Sequence, residues 1–247
     1  MIDGLAARVL RVGPLRFSAY GVCAAVGLVA ALGLSQRTAP LAGLREDALW
    51  DAGIFTATAA FVLSRLLLIL RDPQAFLQLP LVVLALPSYT YLGMLLTALV
   101  VMVYVRWRKL PLLRVMDAAA PCAALLAAAL SLGHFLEGTD AGMPTRMPWG
   151  VASAMGRVHP VQLYALAAAP ALGVLLWRRL RRPHRPGMVA SVALLSGGLL
   201  VFVLDMFTQP TEPLGGGWLD PGQWVALAAM VAGVVLGSLS REPAEVR

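Results

Sequence analysis

The densest group of chemically active side chains in this sequence lies near position 160. Arg157, His159, Gln162 and Tyr164 occur together there, and Pro160 directly follows the histidine. Proline is favoured at the first position of a helix, so the group lies at a predicted helix start, where free backbone amides attract anions. A guanidinium, an imidazole, an amide and a phenol at one helix start indicate a binding site for a phosphate headgroup. The alternative is an interfacial belt of aromatic and cationic side chains.

Three further ionisable residues fall within apolar stretches, where a charge is costly and marks a candidate functional residue. Arg65 could extend to the outer headgroups or bind a lipid phosphate through its bidentate guanidinium. Asp117 follows a basic loop at a predicted helix start, where the helix dipole stabilises a carboxylate, so a structural role is favoured. Asp205 lies near the end of another apolar stretch and could pair with an arginine or act as a base.

Two histidines flank a predicted loop, and either could act as an acid or a base near neutral pH. They are His134 and His159, whereas Glu137 and Asp140 between them are interpreted as a solvated loop edge. No spacing typical of a metal site, a Ser/His/Asp triad or a phosphate-binding loop occurs. The spacing of these residues therefore indicates no metal site.

The composition indicates that membrane-spanning helices position these residues. The chain has 247 residues, of which 59% are hydrophobic and 13% charged, and two are cysteines. Soluble domains carry about 25% charged residues, and disordered chains combine high charge with low hydrophobicity, so both classes are excluded. Two cysteines exclude a disulfide scaffold. The sequence predicts an all-α integral membrane protein, with a single polytopic domain over residues 1–247.

Seven apolar stretches are long enough to cross a bilayer, which takes about 20 residues per helix. The predicted spans are residues 17–34, 48–70, 79–105, 115–136, 160–177, 187–207 and 221–239. The third span is irregular because Pro80, Pro87 and a polar run interrupt it. We expect residues 76–91 to form a re-entrant or interfacial piece before the third helix, since broken helices are tolerated where they line a cavity.

The distribution of basic residues predicts the orientation. If the N-terminus is outside, 13 of the 20 lysines and arginines lie on the inner side and six on the outer side, with Arg65 within a span. This bias predicts an external N-terminus and a cytoplasmic C-terminus. The net charge of +7 lies in short clusters between spans, so nucleic acid is not an expected partner. We expect Arg65 and residues 157–164 to converge on one outward-facing cavity.

The cluster near position 160 resembles a stretch of the prolipoprotein diacylglyceryl transferase family that has the sequence Arg-His-Pro-Ser-Gln-Leu-Tyr-Glu. Further short matches follow in the family's order along nearly the whole chain. They are Gly13-Pro14-Leu15, Tyr20-Gly21, Ser64-Arg65-Leu66, Leu113-Arg114, Asp117, Pro121, Pro148-Trp149-Gly150-Val151 and Gly222-Gln223. On this ordered set the chain is identified as a divergent member of the family.

The resemblance implies seven spans with an external N-terminus in the bacterial plasma (inner) membrane. It also implies transfer of diacylglycerol from phosphatidylglycerol to the thiol of the lipobox cysteine in a secreted lipoprotein precursor, without a metal or soluble cofactor. The partners it implies are an anionic phospholipid and a precursor peptide. The family residues retained for phospholipid binding are Tyr20, Arg65, Arg157, Gln162 and Tyr164.

The resemblance also places different residues at several signature positions of the family. Tyr91 stands where the family has a histidine thought central to activity, and Ser131 and Val201 stand where it has arginines. His134 replaces an asparagine, whereas Thr139 and Asp205 replace glutamates; these three substitutions also follow from the resemblance.

Three functions are compatible with these departures. In an active transferase, Arg65 and Arg157 hold the headgroup, and His134 or His159 helps to form the cysteine thiolate. Asp205 then orients one of the histidines or shares the proton transfer. Tyr91 ranks after these residues, because a phenol is a poor base at neutral pH. The alternative is a non-catalytic relative that binds phospholipid or lipoprotein precursor. A transporter is disfavoured because no inverted repeat is visible.

Overall fold

A computed structural model of the protein describes residues 10–12, 15–78, 90–139, 142–153, 156–209 and 218–240. These residues form eight helices and four short strands. The helices are α1 (Ala19–Leu41), α2 (Glu46–Arg71), α3 (Pro73–Gln78), α4 (Tyr91–Trp107), α5 (Leu112–Glu137), α6 (Val161–Leu180), α7 (Met188–Asp205) and α8 (Pro221–Leu239). The strands form two antiparallel pairs, β1 (Leu10–Val12) with β2 (Leu15–Phe17), and β3 (Val151–Ser153) with β4 (Gly156–Val158).

Six of these helices, α1, α2 and α5 to α8, are long and apolar enough to cross a membrane. The seventh, α4, is a shorter apolar helix of 17 residues. Large apolar side chains point away from the protein, as at Val29, Val103 and Leu239, which are 67%, 68% and 77% exposed. Helices with such an outer surface are suited to lipid rather than water. The chain is therefore an all-α, multi-pass membrane protein with about seven crossing helices, as the sequence predicts.

The crossing helices give the bundle two ends of different character. Short turns after α1, α4 and α6 lie at one end, which we call the basic end because Arg45, Arg108 and Arg181 lie there. The opposite end, which we call the hairpin end, carries the β3–β4 hairpin, the starts of α1, α6 and α8, and the ends of α5 and α7.

Most predicted spans agree with the helices, with one clear extension. The first helix continues to Leu41, past its predicted end at position 34. Ser35 and Thr38 lie in this extension, and their hydroxyls donate to backbone carbonyls of the preceding turn, at 2.7 and 3.2 Å, so neither side chain is left unpaired. The short helix α3 follows α2, and residues 79–89, which make up most of the predicted re-entrant piece, lie outside the described residues.

Close helix packing depends on small residues. The helix α1 packs along α5, α6 packs on α5, and α7 pairs with α8, whereas α2 packs against α1 and α4. A side chain at Gly27 would overlap Ala129 of α5, and a Cβ at Gly198 would lie 2.8 Å from the carbonyl oxygen of Ala226 in α8. In a membrane, such small residues allow the backbones to approach closely enough for van der Waals contact.

The tightest core lies at the basic end, where Val105, Leu176, Leu180 and Val189 are almost completely buried. Asp117 lies in the same region and has no exposed surface.

The carboxylate of Asp117 accepts hydrogen bonds from the backbone N–H groups of Gly187 and Ala190, both at 2.7 Å. The Nε2 atom of His184 lies 3.8 Å from it. Asp117 therefore caps the start of α7, where unpaired amides and the helix dipole favour an anion. Its role is structural, as predicted, but the helix that it caps is a neighbour and not its own.

Candidate active site at the hairpin end

Backbone hydrogen bonds connect three segments at the hairpin end. Residues 142–145 run between β4 and the end of α7. Met143 donates to the carbonyl of Phe207 at 2.8 Å, and His159 donates to the carbonyl of Met143 at 3.0 Å. Residues Gly142 and Thr208 form an isolated β-bridge. These bonds fix the position of His159 relative to the end of α7, although His159 is not part of that helix.

Gly142 is essential to this arrangement. Its α-carbon faces the backbone of His159 so closely that a Cβ there would collide with the His159 carbonyl oxygen. A backbone carbonyl cannot move aside as a side chain can, so the close approach requires glycine. Gly142 is not among the site residues predicted from the sequence.

An aromatic cluster surrounds His159. Its Nδ1 atom lies 3.2 Å from the hydroxyl of Tyr164, and the indole N–H of Trp149 donates to the same hydroxyl at 2.7 Å. The ring of Phe207 lies 5.1 Å from the His159 ring, centroid to centroid. The Tyr164 hydroxyl therefore connects the loop before the hairpin to the imidazole, and two of the predicted site residues are in direct contact.

A second polar cluster joins the starts of α1 and α6 to the end of α5. The ring of Tyr20 lies 4.6 Å from that of His134, whose Nδ1 atom lies 2.8 Å from the hydroxyl of Thr139. The side-chain amide of Gln162 donates to the carbonyl of Thr139 at 3.3 Å. Tyr20, His134 and Gln162 were predicted as separate site residues, and the structure brings them together through Thr139.

Glu137 fixes the start of α1 in this cluster. Its carboxylate accepts a hydrogen bond at 3.0 Å from the backbone N–H of Tyr20, which has no partner within its own helix. The interpretation of Glu137 as a solvated loop edge is therefore wrong. The contact joins residues 117 positions apart, so no local pattern could indicate it.

Two carboxyl groups lie near each other where α7 ends and α8 begins. Asp205 accepts a hydrogen bond from the hydroxyl of Thr208 at 3.3 Å, and Asp220 caps α8 by accepting from the backbone N–H of Gln223 at 3.0 Å. A Cβ built on Gly222 would lie 3.1 Å from Oδ1 of Asp205 and 3.4 Å from Oδ1 of Asp220, so the two carboxyl groups lie near each other. Tyr91, at the start of α4, lies within electrostatic reach of both.

The two retained arginines occupy different surroundings. The guanidinium carbon of Arg65 lies 5.0 Å from the ring centroid of Phe61, one turn earlier on α2. Arg157 is exposed on β4 and donates to the carbonyl of Pro148 at 3.5 Å. The helix α2 packs against α1 and α4, whereas α6 packs against α5 and α7. Convergence of Arg65 with residues 157–164 on one cavity stays a prediction.

The sequence matches the family model described as prolipoprotein diacylglyceryl transferase over residues 7–238. The chain belongs to this family. A protein of Verminephrobacter eiseniae named phosphatidylglycerol–prolipoprotein diacylglyceryl transferase is 34% identical, over 96% of this chain and 95% of its own length. Proteins of the same name from Paracidovorax citrulli and Bordetella parapertussis are 32% and 28% identical, and each alignment covers at least 92% of both chains.

Two positions at which the resemblance assigns arginines to the diacylglyceryl transferase family carry Ser131 and Val201 in this chain. The hydroxyl of Ser131 donates a hydrogen bond to the backbone carbonyl of Ala127 at 2.9 Å, and the side chain of Val201 is half exposed on α7. Neither can provide the positive charge that the resemblance assigns to these positions.

Three residues of the site had little or no signal in the sequence. Trp149 was noted only as part of a motif, and Asp220 could have been found as the first residue of the capping pattern Asp-Pro-Gly-Gln. Phe207 carries no local signal, because its contact with His159 depends on how α7 ends beside the hairpin. Among the described residues, no three His, Cys, Asp or Glu side chains come together as a metal site would require.

Proposed function

We propose that this protein is a phosphatidylglycerol–prolipoprotein diacylglyceryl transferase of the bacterial plasma membrane. It moves the diacylglyceryl group from phosphatidylglycerol to the thiol of the lipobox cysteine in a secreted precursor. The family match over residues 7–238 is the observation that carries the proposal. The relatives that align with nearly the whole chain bear the name of this enzyme, which favours the transferase over a non-catalytic lipid-binding relative.

The reaction requires three contributions from the protein. The cysteine sulfur must lose its proton, since the thiolate is the nucleophile. The phosphate of the lipid must be neutralised, because it leaves with the electrons of the broken C–O bond. Finally, the two substrates must be aligned where a lipid and a secreted peptide both have access, as at the hairpin end.

The phosphate site in this proposal consists of Arg157, His159 and the start of α6. Arg157 is exposed and its hydrogen bond to the Pro148 carbonyl is long, at 3.5 Å, so its guanidinium can form a bidentate contact with phosphate oxygens instead. The Tyr164 hydroxyl accepts from Trp149 and lies 3.2 Å from Nδ1 of His159. In this proposal the hydroxyl donates to Nδ1, which assigns the tautomer with Nε2–H as a donor. His159 is thus suited to hydrogen-bonding an anion. Arg65 provides a second cation from α2.

Tyr20, His134 and Gln162 form the wall between the headgroup and the acceptor peptide in this proposal. His134, whose Nδ1 atom lies 2.8 Å from the Thr139 hydroxyl, is the first candidate for proton exchange with a substrate. Asp205 is the second candidate for proton transfer. Tyr91, at the family's histidine position, is half exposed and within electrostatic reach of Asp205.

The direct test is transfer of labelled diacylglycerol from phosphatidylglycerol vesicles to a synthetic lipobox peptide, using the full-length purified protein. We expect a labelled thioether product with the cysteine peptide and none when serine replaces its cysteine. Complementation of a bacterium depleted of its own transferase is the cellular counterpart. Tight binding of phosphatidylglycerol without transfer, from a well-expressed protein, would instead indicate the non-catalytic relative.

A further inference from the structure

An apolar groove opens on the outer surface of the bundle near the basic end, between α2 and α4. Its volume is about 340 Å³, within the range of about 300–1,000 Å³ that is typical of ligand pockets. The groove is lined by six large apolar or aromatic side chains, which are Phe55, Leu99, Val100, Val103, Tyr104 and Trp107. The rings of Phe55 and Tyr104 stack with their centroids 4.0 Å apart, so they join the two helices within the groove.

The groove is nearly as long as one leaflet of a membrane is deep. Its α4 residues run from Leu99 to Trp107, and eight residues of helix rise about 12 Å. Half of a hydrocarbon core about 30 Å thick is about 15 Å. Trp107 is the last residue of α4 and is exposed, and tryptophan is enriched at the level of the lipid headgroups. The groove therefore extends from the headgroup level into the leaflet at the basic end.

The lining of the groove favours an acyl chain over a helix of another protein. Close contacts between helices in a membrane depend on small residues that allow the backbones to approach. The six lining residues include no Gly, Ala, Ser or Thr. Large side chains around a narrow groove are instead suited to a flexible chain of methylene groups, which gains dispersion contacts along its length.

A cation lies at the mouth of the groove, where a lipid headgroup would be. The guanidinium carbon of Arg108 lies 5.9 Å from the ring centroid of Tyr104. Its Nη2 atom lies 3.4 Å from a carboxylate oxygen of Asp51 on α2, and both side chains of this ion pair are nearly half exposed. A guanidinium has five N–H donors, so the ion pair leaves donors for a phosphate. The Tyr104 ring and Asp51 thus hold Arg108 at the end of the groove.

The charges at this mouth are mainly positive. Arg106 and Lys109 are exposed beside Arg108 at the end of α4. The acid in contact with this group is Asp51, whereas the two acids in the first turn of α2 lie about 6–8 Å further from the groove along that helix. Three cations against one carboxylate complement the negative charge of a phosphodiester, as basic pockets between membrane helices do for anionic lipids.

The backbone of Lys109 is a second, independent feature of this mouth. Lys109 ends α4 in a Schellman motif, in which its own N–H donates to Arg106 at 3.0 Å and that of Leu110 donates to Val105 at 2.9 Å. Its φ is +54°, and it is the one non-glycine residue with a positive φ among the residues that the structure describes. Glycine is usual at this position, because a side chain makes the left-handed conformation costly. The side chain of Lys109 is therefore present at a cost to the backbone.

We propose that this groove binds one anionic phospholipid of the leaflet at the basic end. An acyl chain lies along α4 between the groove walls, and the phosphate binds Arg108 and Lys109. The site is separate from the headgroup site at the hairpin end, and it does not depend on the transferase activity proposed above. Among the described residues, α4 packs chiefly on α2, so a lipid that contacts both helices holds α4 in place.

Photo-crosslinking tests the lipid site without measuring activity. The full-length protein is placed in phosphatidylcholine nanodiscs that contain a small fraction of phosphatidylglycerol or phosphatidylcholine, each with the same diazirine-bearing acyl chain. Mass spectrometry then quantifies adducts on residues 99–107 and, as a reference, around the exposed Val231 of α8. In the groove we expect at least about fivefold more adducts from the phosphatidylglycerol probe, the effect of one basic residue near a membrane surface. On α8 the two probes should react equally.

Variants of the basic residues test the headgroup contacts. Arg108→Ala should lower the preference for phosphatidylglycerol about fivefold. Arg181→Ala removes another exposed arginine at the basic end, after α6, and should leave the preference unchanged. Lys109→Gly should also lower the preference, although its melting temperature should equal or exceed that of wild type because glycine relieves the backbone. A residue needed only for the fold would not show this combination.

Filling the groove tests the acyl-chain contact. Val103→Trp places a large side chain at an exposed lining position and should remove most adducts of both probes from residues 99–107. Val231→Trp makes the same change on the exposed face of α8 and is the matched control. It should leave the adducts in the groove unchanged. Equal melting temperatures of the two variants and wild type confirm that the bundle is intact.

Two results would overturn the lipid site. One is equal reaction of the two probes in the groove, or a preference for phosphatidylglycerol that survives both Arg108→Ala and Lys109→Gly. The other is the absence of adducts from both probes in the groove of the wild type; if the protein is then a dimer by mass, the groove belongs to a second copy of this chain. Because these experiments measure binding and not transfer, failure of this inference leaves the proposed function standing, and the reverse also holds.

Discussion

Tyr164 is the residue through which the side chains around His159 are connected. Its hydroxyl accepts from Trp149 and contacts His159, so Tyr164→Phe leaves an indole N–H and an imidazole nitrogen without this partner. Losing such a hydrogen bond costs about 1–3 kcal/mol where the remaining groups are desolvated. We expect a transfer rate at least about fivefold lower, measured with phosphatidylglycerol vesicles and a lipobox peptide. Tyr104→Phe, at the basic end, should keep the wild-type rate, and an unchanged rate in both variants would contradict the prediction.

Arg157 tests whether the headgroup is recognised by shape as well as by charge. A lysine keeps the charge but cannot form two parallel hydrogen bonds to one phosphate. We expect Arg157→Lys to raise the KM for phosphatidylglycerol about tenfold, which corresponds to about 1.4 kcal/mol. Arg146→Lys, also exposed in the same loop, should have the wild-type KM. A KM for Arg157→Lys equal to that of wild type would show that only charge matters at this position.

At the scale of the elements, the segment 142–145 holds β4 against the end of α7. Gly142→Ala places a methyl group against the His159 backbone, and the necessary shift costs about 1–3 kcal/mol. We expect a lower transfer rate and a lower melting temperature. Gly33→Ala is the matched control, because a Cβ there meets no atom within 4 Å. Equal rates for the two variants would exclude a role for this close contact.

The cap of α7 is a second interaction between elements. Asp117→Asn retains one acceptor oxygen but loses the charge that satisfies two backbone N–H groups. Because hydrogen bonds to charged groups contribute about 1.5–3 kcal/mol, we expect a clear decrease in the melting temperature in detergent. Asp51→Asn removes only an exposed ion pair with Arg108, which is worth at most about 1 kcal/mol. If both variants have the melting temperature of the wild type, the buried cap does not stabilise the bundle.

At the scale of the whole molecule, the two ends of the bundle differ in packing as well as in charge. The tight core lies at the basic end, whereas the hairpin end has polar clusters and interhelical hydrogen bonds. This asymmetry is suited to a protein that is held rigid on one side of the membrane and binds substrates on the other. We propose that the basic end is cytoplasmic, in line with the positive-inside rule.

Reporter fusions test this orientation directly. A cytoplasmic reporter joined after Arg182 should be active, and one joined after Thr211 should be inactive, with the reverse pattern for a reporter that works only outside. Equal expression of the fusion proteins, checked by immunoblot, is the control. An external Arg182 would invert the orientation and place the hairpin end in the cytoplasm, where no secreted precursor is processed.

The sequence by itself determined the membrane class, the number and approximate bounds of the crossing helices, and the grouping of Arg157, His159 and Tyr164 near one helix start. These follow from local properties: apolar stretches of bilayer length, a proline at a helix start, and reactive residues close together in the chain. Only the tertiary structure decided that Glu137 holds the start of α1, that Asp117 caps α7, and that Asp220 lies near Asp205. The physical reason is that a buried polar group must find a partner wherever the packing places one, and that partner is set by helix neighbours rather than by sequence distance.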